Sequence, residues 1–80
     1  MKARVTVTLK TGVLDPQGKA IEGALASLGF SGVASVRQGK VFDIETSETD
    51  QAKAEAALKA MADKLLANTV IEKYEIAIGG

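Results

Sequence analysis

The first ten residues alternate between polar and apolar side chains almost without interruption. In Lys2–Lys10 one parity holds Ala3, Val5, Val7 and Leu9, and the other holds only basic residues and threonines. A period of two is typical of a β-strand that buries one face and exposes the other. The N-terminal segment is therefore predicted to be a half-buried strand, and it requires a second layer to cover its apolar face.

A helix is predicted to begin at Asp15. The Asp15 carboxylate can accept hydrogen bonds from the free amides of a first helical turn, and Pro16 fits the first position because the amide hydrogen it lacks would have no partner there. Gly29 is expected to end the helix in the left-handed conformation. The stripe predicted to be buried has helical spacing and comprises Ile21, Ala24, Leu25 and Leu28.

Two β-prone runs, Val33–Arg37 and Lys40–Glu45, follow this helix. They are separated only by Gln38 and Gly39, and glycine tolerates the positive φ that a tight hairpin requires. The two runs are therefore predicted to pair as antiparallel strands.

A second helix and a last strand complete the pattern. Ser47 with Asp50 three residues later resembles a helix-start box, and Asn68 is a plausible stop. Val70–Ile78 again has the period of a strand. The apolar positions predicted to face the core from the second helix are Ala54, Leu58, Met61 and Leu65.

The order of elements predicts an α+β fold of βαββαβ type. Right-handed crossovers would arrange it as a two-layer domain, a four-stranded antiparallel sheet with two helices on one face, which is the ferredoxin-like plan or a close variant. Residues 1–80 are expected to form one domain, because a chain of this length cannot build a second core. The uncovered sheet face, with Val41, Phe42, Ile71 or Ala77 on it, is expected to favour self-association.

Composition removes several classes of function. The chain has no cysteine and no histidine, so it offers no disulfide, thiolate, imidazole or transition-metal site. A net charge of zero and only three aromatic residues argue against nucleic acid as a partner. No run is long enough to span a membrane, and the N-terminus does not resemble a signal peptide. A cytoplasmic protein without a catalytic or metal-binding residue of its own is expected.

The loop Lys10–Gly18 and the predicted hairpin turn are the candidate binding regions. Helix amides with Lys10, Asp15 and Gln17 could hold a partner or an anion, although a helix cap with turn glycines explains the same residues. Arg37 and Lys40 could clamp a carboxylate or phosphate, or could simply be solvated. Asp43 and Glu45 share a parity, but without histidine or cysteine beside them a solvated sheet face is the simpler interpretation.

In these regions the sequence resembles the PurS subunit of phosphoribosylformylglycinamidine synthase, also called formylglycinamide ribonucleotide amidotransferase. The resemblance covers essentially the whole chain, and its most specific part is a Leu-Asp-Pro-Gln-Gly block followed by Arg-x-Gly-Lys. Thr69 departs from it, because family members often carry proline there. The matching stretches are 5–10, 12–18, 28–30, 32–33, 36–40, 65–68 and 71–75.

The resemblance implies a single PurS-like domain that works as a non-catalytic subunit in de novo purine (IMP) biosynthesis. Such a subunit associates with itself as a dimer or tetramer. It joins a glutaminase subunit to a large synthetase subunit and supports ammonia transfer between them. ATP, Mg²⁺ and glutamine would be used by those partners in a C–N ligase reaction. The candidate partner-binding residues that the resemblance carries over are Lys10, Asp15, Gln17, Gly18, Arg37 and Lys40.

A regulatory domain of ACT type is the alternative. That class shares the predicted topology, and it places an Asp-x-x-Gly-like loop between its first strand and first helix to bind an amino acid. Asp15–Gly18 resembles such a loop loosely. The loop pattern alone therefore leaves two classes open, a bridging subunit and an amino-acid sensor.

Overall fold

The structure, a computed structural model, describes residues 1–79 of the chain. Its three strands form one antiparallel sheet in the order β2-β1-β3, so the N-terminal strand lies in the centre. The second helix continues directly into a single π-helical turn, Ala62–Leu66. The elements in chain order are β1 (Lys2–Leu9), α1 (Pro16–Ser27), β2 (Lys40–Glu45), α2 (Gln51–Met61) and β3 (Glu72–Gly79).

The prediction of a four-stranded sheet is wrong for the described residues, which form three strands. The segment Val33–Arg37 does not pair with β2, because side chains from elsewhere occupy its amides. The N–H of Val36 donates to Glu22 Oε2 at 3.1 Å, and the N–H of Gln38 donates to Asp15 Oδ2 at 2.7 Å. These bonds draw the segment toward α1 and leave no hairpin.

The core lies between the central strand and α2. Val5 and Val7 are completely buried, which confirms the parity predicted for β1. Leu58 and Ala62 from the helical side pack against them, and alanine lets the helix approach the sheet closely. The half-buried apolar residues around this cluster are Phe42, Ile44, Leu66, Tyr74, Ile76 and Ile78.

The start and the last turn of α2 differ from the prediction. Asp50, not Ser47, caps the helix, and its Oδ1 accepts a hydrogen bond from the N–H of Lys53 at 3.1 Å. The buried positions advance by four residues from Ala54, so Ala62 reaches the core. Met61 and Leu65, which were predicted to be core residues, are exposed.

Helix α1 has the predicted ends but not the predicted packing. Asp15 caps it, Pro16 occupies its first turn, and Gly29 has a φ of +97° just after it. Only Gly18 of its residues is buried, and the helix has little contact with the sheet. The stripe that was expected to face the core is therefore turned largely to solvent.

The sheet face opposite α2 is polar. Arg4 and Asp43 form an ion pair there with Nε and Oδ1 2.8 Å apart, and Lys2 lies 3.8 Å from Glu45. Phe42, one of the residues expected on this face, lies on the packed side instead. Val41 and Ala77, which were also expected there, do lie on this face, because they pair with Thr6 and Arg4 of β1. The face is therefore mainly polar, with Val41 as an exposed apolar residue on it.

Across residues 1–79, no helix combines the length and the apolar character that crossing a membrane requires.

Candidate functional site

Three segments meet where β1 ends, and they bring most of the candidate residues together. The loop after β1 carries Lys10 and Asp15, the segment before β2 carries Arg37, and the turn before β3 carries Ile71. The N–H of Lys10 donates to the Ile71 carbonyl at 2.9 Å, which ties the first segment to the third. We call this end of the domain the loop cluster.

Asp15 is the centre of the loop cluster. Its side chain is buried, with 6 % of the residue exposed, and both oxygens accept backbone hydrogen bonds. Oδ1 accepts from the N–H of Gly18 at 2.8 Å, and Oδ2 accepts from the N–H of Gln38 at 2.7 Å. The two bonds to Gln38 and Gly18 hold the pKa of the Asp15 carboxyl below its ordinary value near 3.8. Asp15 is therefore an ionised structural link between α1 and the segment before β2.

Gly18 is part of the same contact between α1 and the segment before β2. A Cβ at this position would lie 2.2 Å from the Val36 carbonyl oxygen and 2.8 Å from Asp15 Oδ2, closer than real side chains approach. The backbone of α1 therefore touches the segment before β2 directly. Gly18 makes this approach possible and offers no side chain to a partner.

Arg37 supports the loop from outside. Its guanidinium donates to the Val13 carbonyl at 2.8 Å and to the Lys10 carbonyl at 3.3 Å. The side chain therefore satisfies the main chain of the loop after β1 instead of extending toward solvent as a clamp.

Lys40 is paired as well. Its Nζ lies 3.6 Å from Glu72 Oε2, and the Glu72 side chain is largely buried. The other oxygen of Glu72 accepts from the N–H of Asn68 at 2.7 Å, which fixes the turn before β3. The pair thus connects the beginnings of β2 and β3 on the two sides of β1.

A shallow depression of about 420 Å³ opens on the loop cluster. It is lined by the apolar side chains of Leu9 and Ile71, by polar groups of Asp15 and Lys40, and by the exposed Gln17. Leu14, another lining residue, is 69 % exposed, and Ile71 is 40 % exposed. A surface of this mixed character suits contact with another polypeptide better than it suits a reaction.

Asp43 and Glu45 on β2 are the other acidic pair that the sequence singled out. Residues 1–79 contain no group of three acidic, histidine or cysteine side chains placed to hold a metal ion. Asp43 and Glu45 do not form a carboxylate pair, because Asp43 is bonded to Arg4 and Glu45 lies beside Lys2. Hydrogen bonds from Arg4 hold the pKa of Asp43 below its ordinary value, which is unfavourable for a proton acceptor.

Comparison with known proteins gives the same assignment over the full chain. Residues 2–80 match the family model described as PurS, phosphoribosylformylglycinamidine (FGAM) synthase. This chain belongs to the PurS family. The family match supports the first of the two classes that the loop left open, the synthase subunit, over the amino-acid sensor.

Named relatives of this PurS-family chain agree with the match. It is 48 % identical over 75 residues to the FGAM synthase subunit PurS of Mycobacterium leprae, covering 94 % of this chain and 91 % of the relative. The crystal structure of PurS from Methanocaldococcus jannaschii superimposes with a TM-score of 0.86 at 45 % identity, covering 95 % and 92 % of the two chains. That protein is described as a subunit of formylglycinamide ribonucleotide amidotransferase in the purine biosynthetic pathway.

A third relative comes from a structure of an assembly. The structure of PurLQS from Thermotoga maritima contains a chain that is 32 % identical, with a TM-score of 0.86 and coverage of 95 % and 93 %. The PurS-type fold therefore persists at this lower identity.

Sequence reasoning missed three residues of the loop cluster. Gln38 takes part through its backbone N–H, Glu22 through the amide of Val36, and Glu72 through Lys40 and Asn68. Backbone donors leave no signature in residue type, so the role of Gln38 could not be predicted. Glu22 had a usable signal, because it is the acidic member of an i, i+3 pair with Lys19 on α1.

Proposed function

We propose that this PurS-family chain is the small, non-catalytic subunit of an FGAM synthase in de novo purine biosynthesis. It joins the glutaminase subunit to the ATP-dependent synthetase subunit and supports the passage of ammonia between them. The family match over residues 2–80 is the observation that carries the proposal. The occurrence of a related chain in the PurLQS assembly supports it.

The bonding within the loop cluster divides the candidate residues into two groups. Asp15, Gly18 and Arg37 are occupied by contacts inside the chain. The side chain of Gln17 makes no such bond among the described residues, and Lys10 keeps its exposed ammonium group beyond its main-chain bonds. In the proposal the first group builds the surface, and Lys10, Gln17 and the outer side of Lys40 contact the partner.

Exposed apolar residues complete this surface. Leu14 and Ile71 line the same depression as Gln17 and Lys40 and expose large side chains. Apolar residues surrounded by a polar rim form the usual core of a protein interface. The partner face is therefore proposed to be the loop cluster and not the polar face of the sheet.

The remaining parts of the proposal concern the whole assembly. ATP, Mg²⁺ and glutamine bind to the partner subunits in this scheme, and the chain contributes no cofactor site. Residues 1–80 act as one domain in the cytoplasm. The chain also associates with itself as a dimer or tetramer.

The test is reconstitution with the synthetase and glutaminase subunits of the same organism. Gln17→Ala should weaken complex formation and reduce glutamine-dependent FGAM formation by about tenfold, because a polar contact with the partner is lost. The reaction driven by added ammonium salt should change little, since it bypasses the transfer. Both rates are measured on the same preparations.

Gln51→Ala is the matched control, because Gln51 is an exposed glutamine in the first turn of α2. It should leave both rates unchanged. Failure of the unmodified chain to form a complex, with or without ADP and glutamine, would disprove the bridging role. An equal loss for Gln17→Ala and Gln51→Ala would disprove the assignment of the partner face.

A further inference from the structure

The charged side chains of the loop cluster are sorted by sign, with the cations outside and the carboxylates inside. Lys10, Arg37 and Lys40 are exposed. Asp15 is buried, and only 14 % of the Glu72 side chain is exposed. Three cations against two carboxylates leave one positive charge in excess here, although the whole chain has a net charge of zero. The charge that this end presents to solvent is therefore positive.

The opposite end of the sheet shows no such sorting. Lys2 lies beside Glu45 and Arg4 is bonded to Asp43, and both members of each pair have well exposed side chains. Charges of both signs reach solvent equally there, so this end does not select a partner by the sign of its charge. Of the two ends, the loop cluster is the one that favours an acidic partner.

Lys40 is the cation that lines the depression of the loop cluster. Its Nζ lies 3.6 Å from Glu72 Oε2, which is longer than the usual hydrogen bond of about 2.7 to 3.2 Å. The ammonium group has three donors and makes no hydrogen bond within residues 1–79, and 55 % of the side chain is exposed. Lys40 therefore keeps donors for an acceptor that comes from another molecule.

The surroundings of Lys40 suit a polypeptide better than a free small anion. The first turn of α1 is no anion cradle, because its own cap uses the amides: the N–H of Gly18 donates to Asp15 Oδ1, and the N–H of Lys19 donates to the Asp15 carbonyl. Leu14 and Ile71 line the same depression and would stay uncovered beside a small ion. An acidic side chain with an apolar neighbour would fill both parts of the depression.

We propose that the segment of the partner subunit seated in this depression carries an aspartate or glutamate, whose carboxylate binds the ammonium group of Lys40. An apolar side chain of the same segment covers Leu14 and Ile71 and excludes water from the ion pair, which strengthens it. Lys10 and Arg37 attract the acidic segment before contact. The inference rests on the proposed function, because it specifies the chemistry of the partner at the same surface.

The test breaks the pair of Lys40 and Glu72 from either side. Lys40→Gln should raise the dissociation constant of the complex with the synthetase and glutaminase subunits by at least about fivefold, because the ammonium group is lost. Glu72→Gln should tighten the complex, since it removes the carboxylate that competes for Lys40, while the amide oxygen can still accept from the N–H of Asn68. Equal weakening by both variants would overturn the proposal, because it would mean that the pair only holds the turn before β3.

Salt gives a second readout that a merely structural role would not change. The dissociation constant of the unmodified chain should rise steeply between about 50 and 500 mM NaCl, and less steeply for Lys40→Gln. Lys53→Gln is the matched control, because Lys53 is an exposed lysine in the first turn of α2. It should leave the dissociation constant and its salt dependence unchanged. Identical salt dependence for Lys40→Gln and the unmodified chain would contradict the contact.

A carbodiimide, which joins an amine directly to a carboxylate in contact with it, identifies the partner residue. Mass spectrometry of the treated complex should find Lys40 joined to an aspartate or glutamate of a partner subunit. A product that joins Lys40 only to Glu72 would overturn the proposal. Absence of any complex would disprove the bridging role and this inference with it. A complex that binds Lys40→Gln as tightly as the unmodified chain would disprove the carboxylate contact alone.

Discussion

Helices α1 and α2 have nearly the same length, and each begins at an aspartate cap with an apolar stripe behind it. Their environments differ completely. Leu58 of α2 is buried against the central strand, while Leu28 at the end of α1 is exposed. Local signals thus decide where a helix begins and ends, and long-range contacts decide whether its stripe is covered. The apolar stripe of α1 is uncovered because α1 and its cap are bonded to the segment before β2 and not to the sheet.

The largest effect on stability is expected at α2, whose apolar stripe is covered by the sheet. Leu58→Ala should lower the free energy of unfolding by about 3 kcal/mol, because it removes a completely buried side chain and leaves a cavity. Leu65→Ala on the same helical segment is the control, since Leu65 is 82 % exposed and should change stability by less than about 0.5 kcal/mol. Urea unfolding at one fixed protein concentration measures both. Equal losses would mean that the core is not where the structure places it.

The next effect concerns the contact between α1 and the segment before β2. Gly18→Ala should destabilise the chain by about 1 to 3 kcal/mol, because the new Cβ has no room against the Val36 carbonyl. Gly23→Ala in the same helix meets nothing within 4 Å and should stabilise it by up to about 1 kcal/mol through helix propensity. The opposite signs, read from thermal unfolding of both variants, are the prediction. Stabilisation by both would show that α1 does not touch the returning segment.

The smallest effect is the dependence of stability on acid. The pKa of Asp15 is lowered in the folded chain by the amides of Gln38 and Gly18. The unfolded chain therefore binds a proton first, and the stabilisation by Asp15 is complete above the unfolded pKa of about 3.9 and disappears as pH falls through the folded pKa. Asp15→Asn should make stability fall less steeply below about pH 5. Some dependence should remain, because Arg4 lowers the pKa of Asp43 as well.

Urea unfolding of Asp15→Asn and the unmodified chain at several pH values between about 3 and 7 measures this difference. An unchanged slope below pH 5 would mean that Asp15 is not held by the two amides.

The same division between local and long-range signals separates the features that could be predicted from the sequence from those that could not. The parity of β1, the Asp15 cap and the Gly29 stop were all predicted correctly, because each depends on a few neighbouring residues. The hairpin after Val33–Arg37 was not, because its amides are bonded to residues that lie more than ten positions earlier. The β-strand propensity of this segment gave no information about distant side chains that bond the same backbone amides.

The candidate site shows the same pattern. The resemblance identified Asp15, Gly18 and Arg37 as special positions, and the structure brings them together. Their residue types suggested binding groups, but their contacts are internal. An aspartate or arginine in a loop is the same residue type whether it faces a partner or a backbone amide, so only the folded structure distinguishes the two roles.

The hydrogen bonds of Asp15 also determine which positions near it can vary in sequence among relatives. Its two oxygens accept from backbone N–H groups, so the side chain of Gln38 is not part of the bond. Substitution at position 38 by any residue other than proline would leave the donor in place, since proline alone lacks the amide hydrogen. Asp15 and Gly18 cannot vary in this way, because the carboxylate itself and the absence of a Cβ make the contact possible. Among relatives, variation where α1 meets the segment before β2 should therefore accumulate at position 38, while the carboxylate and the glycine stay fixed. An alignment of PurS sequences would test that expectation.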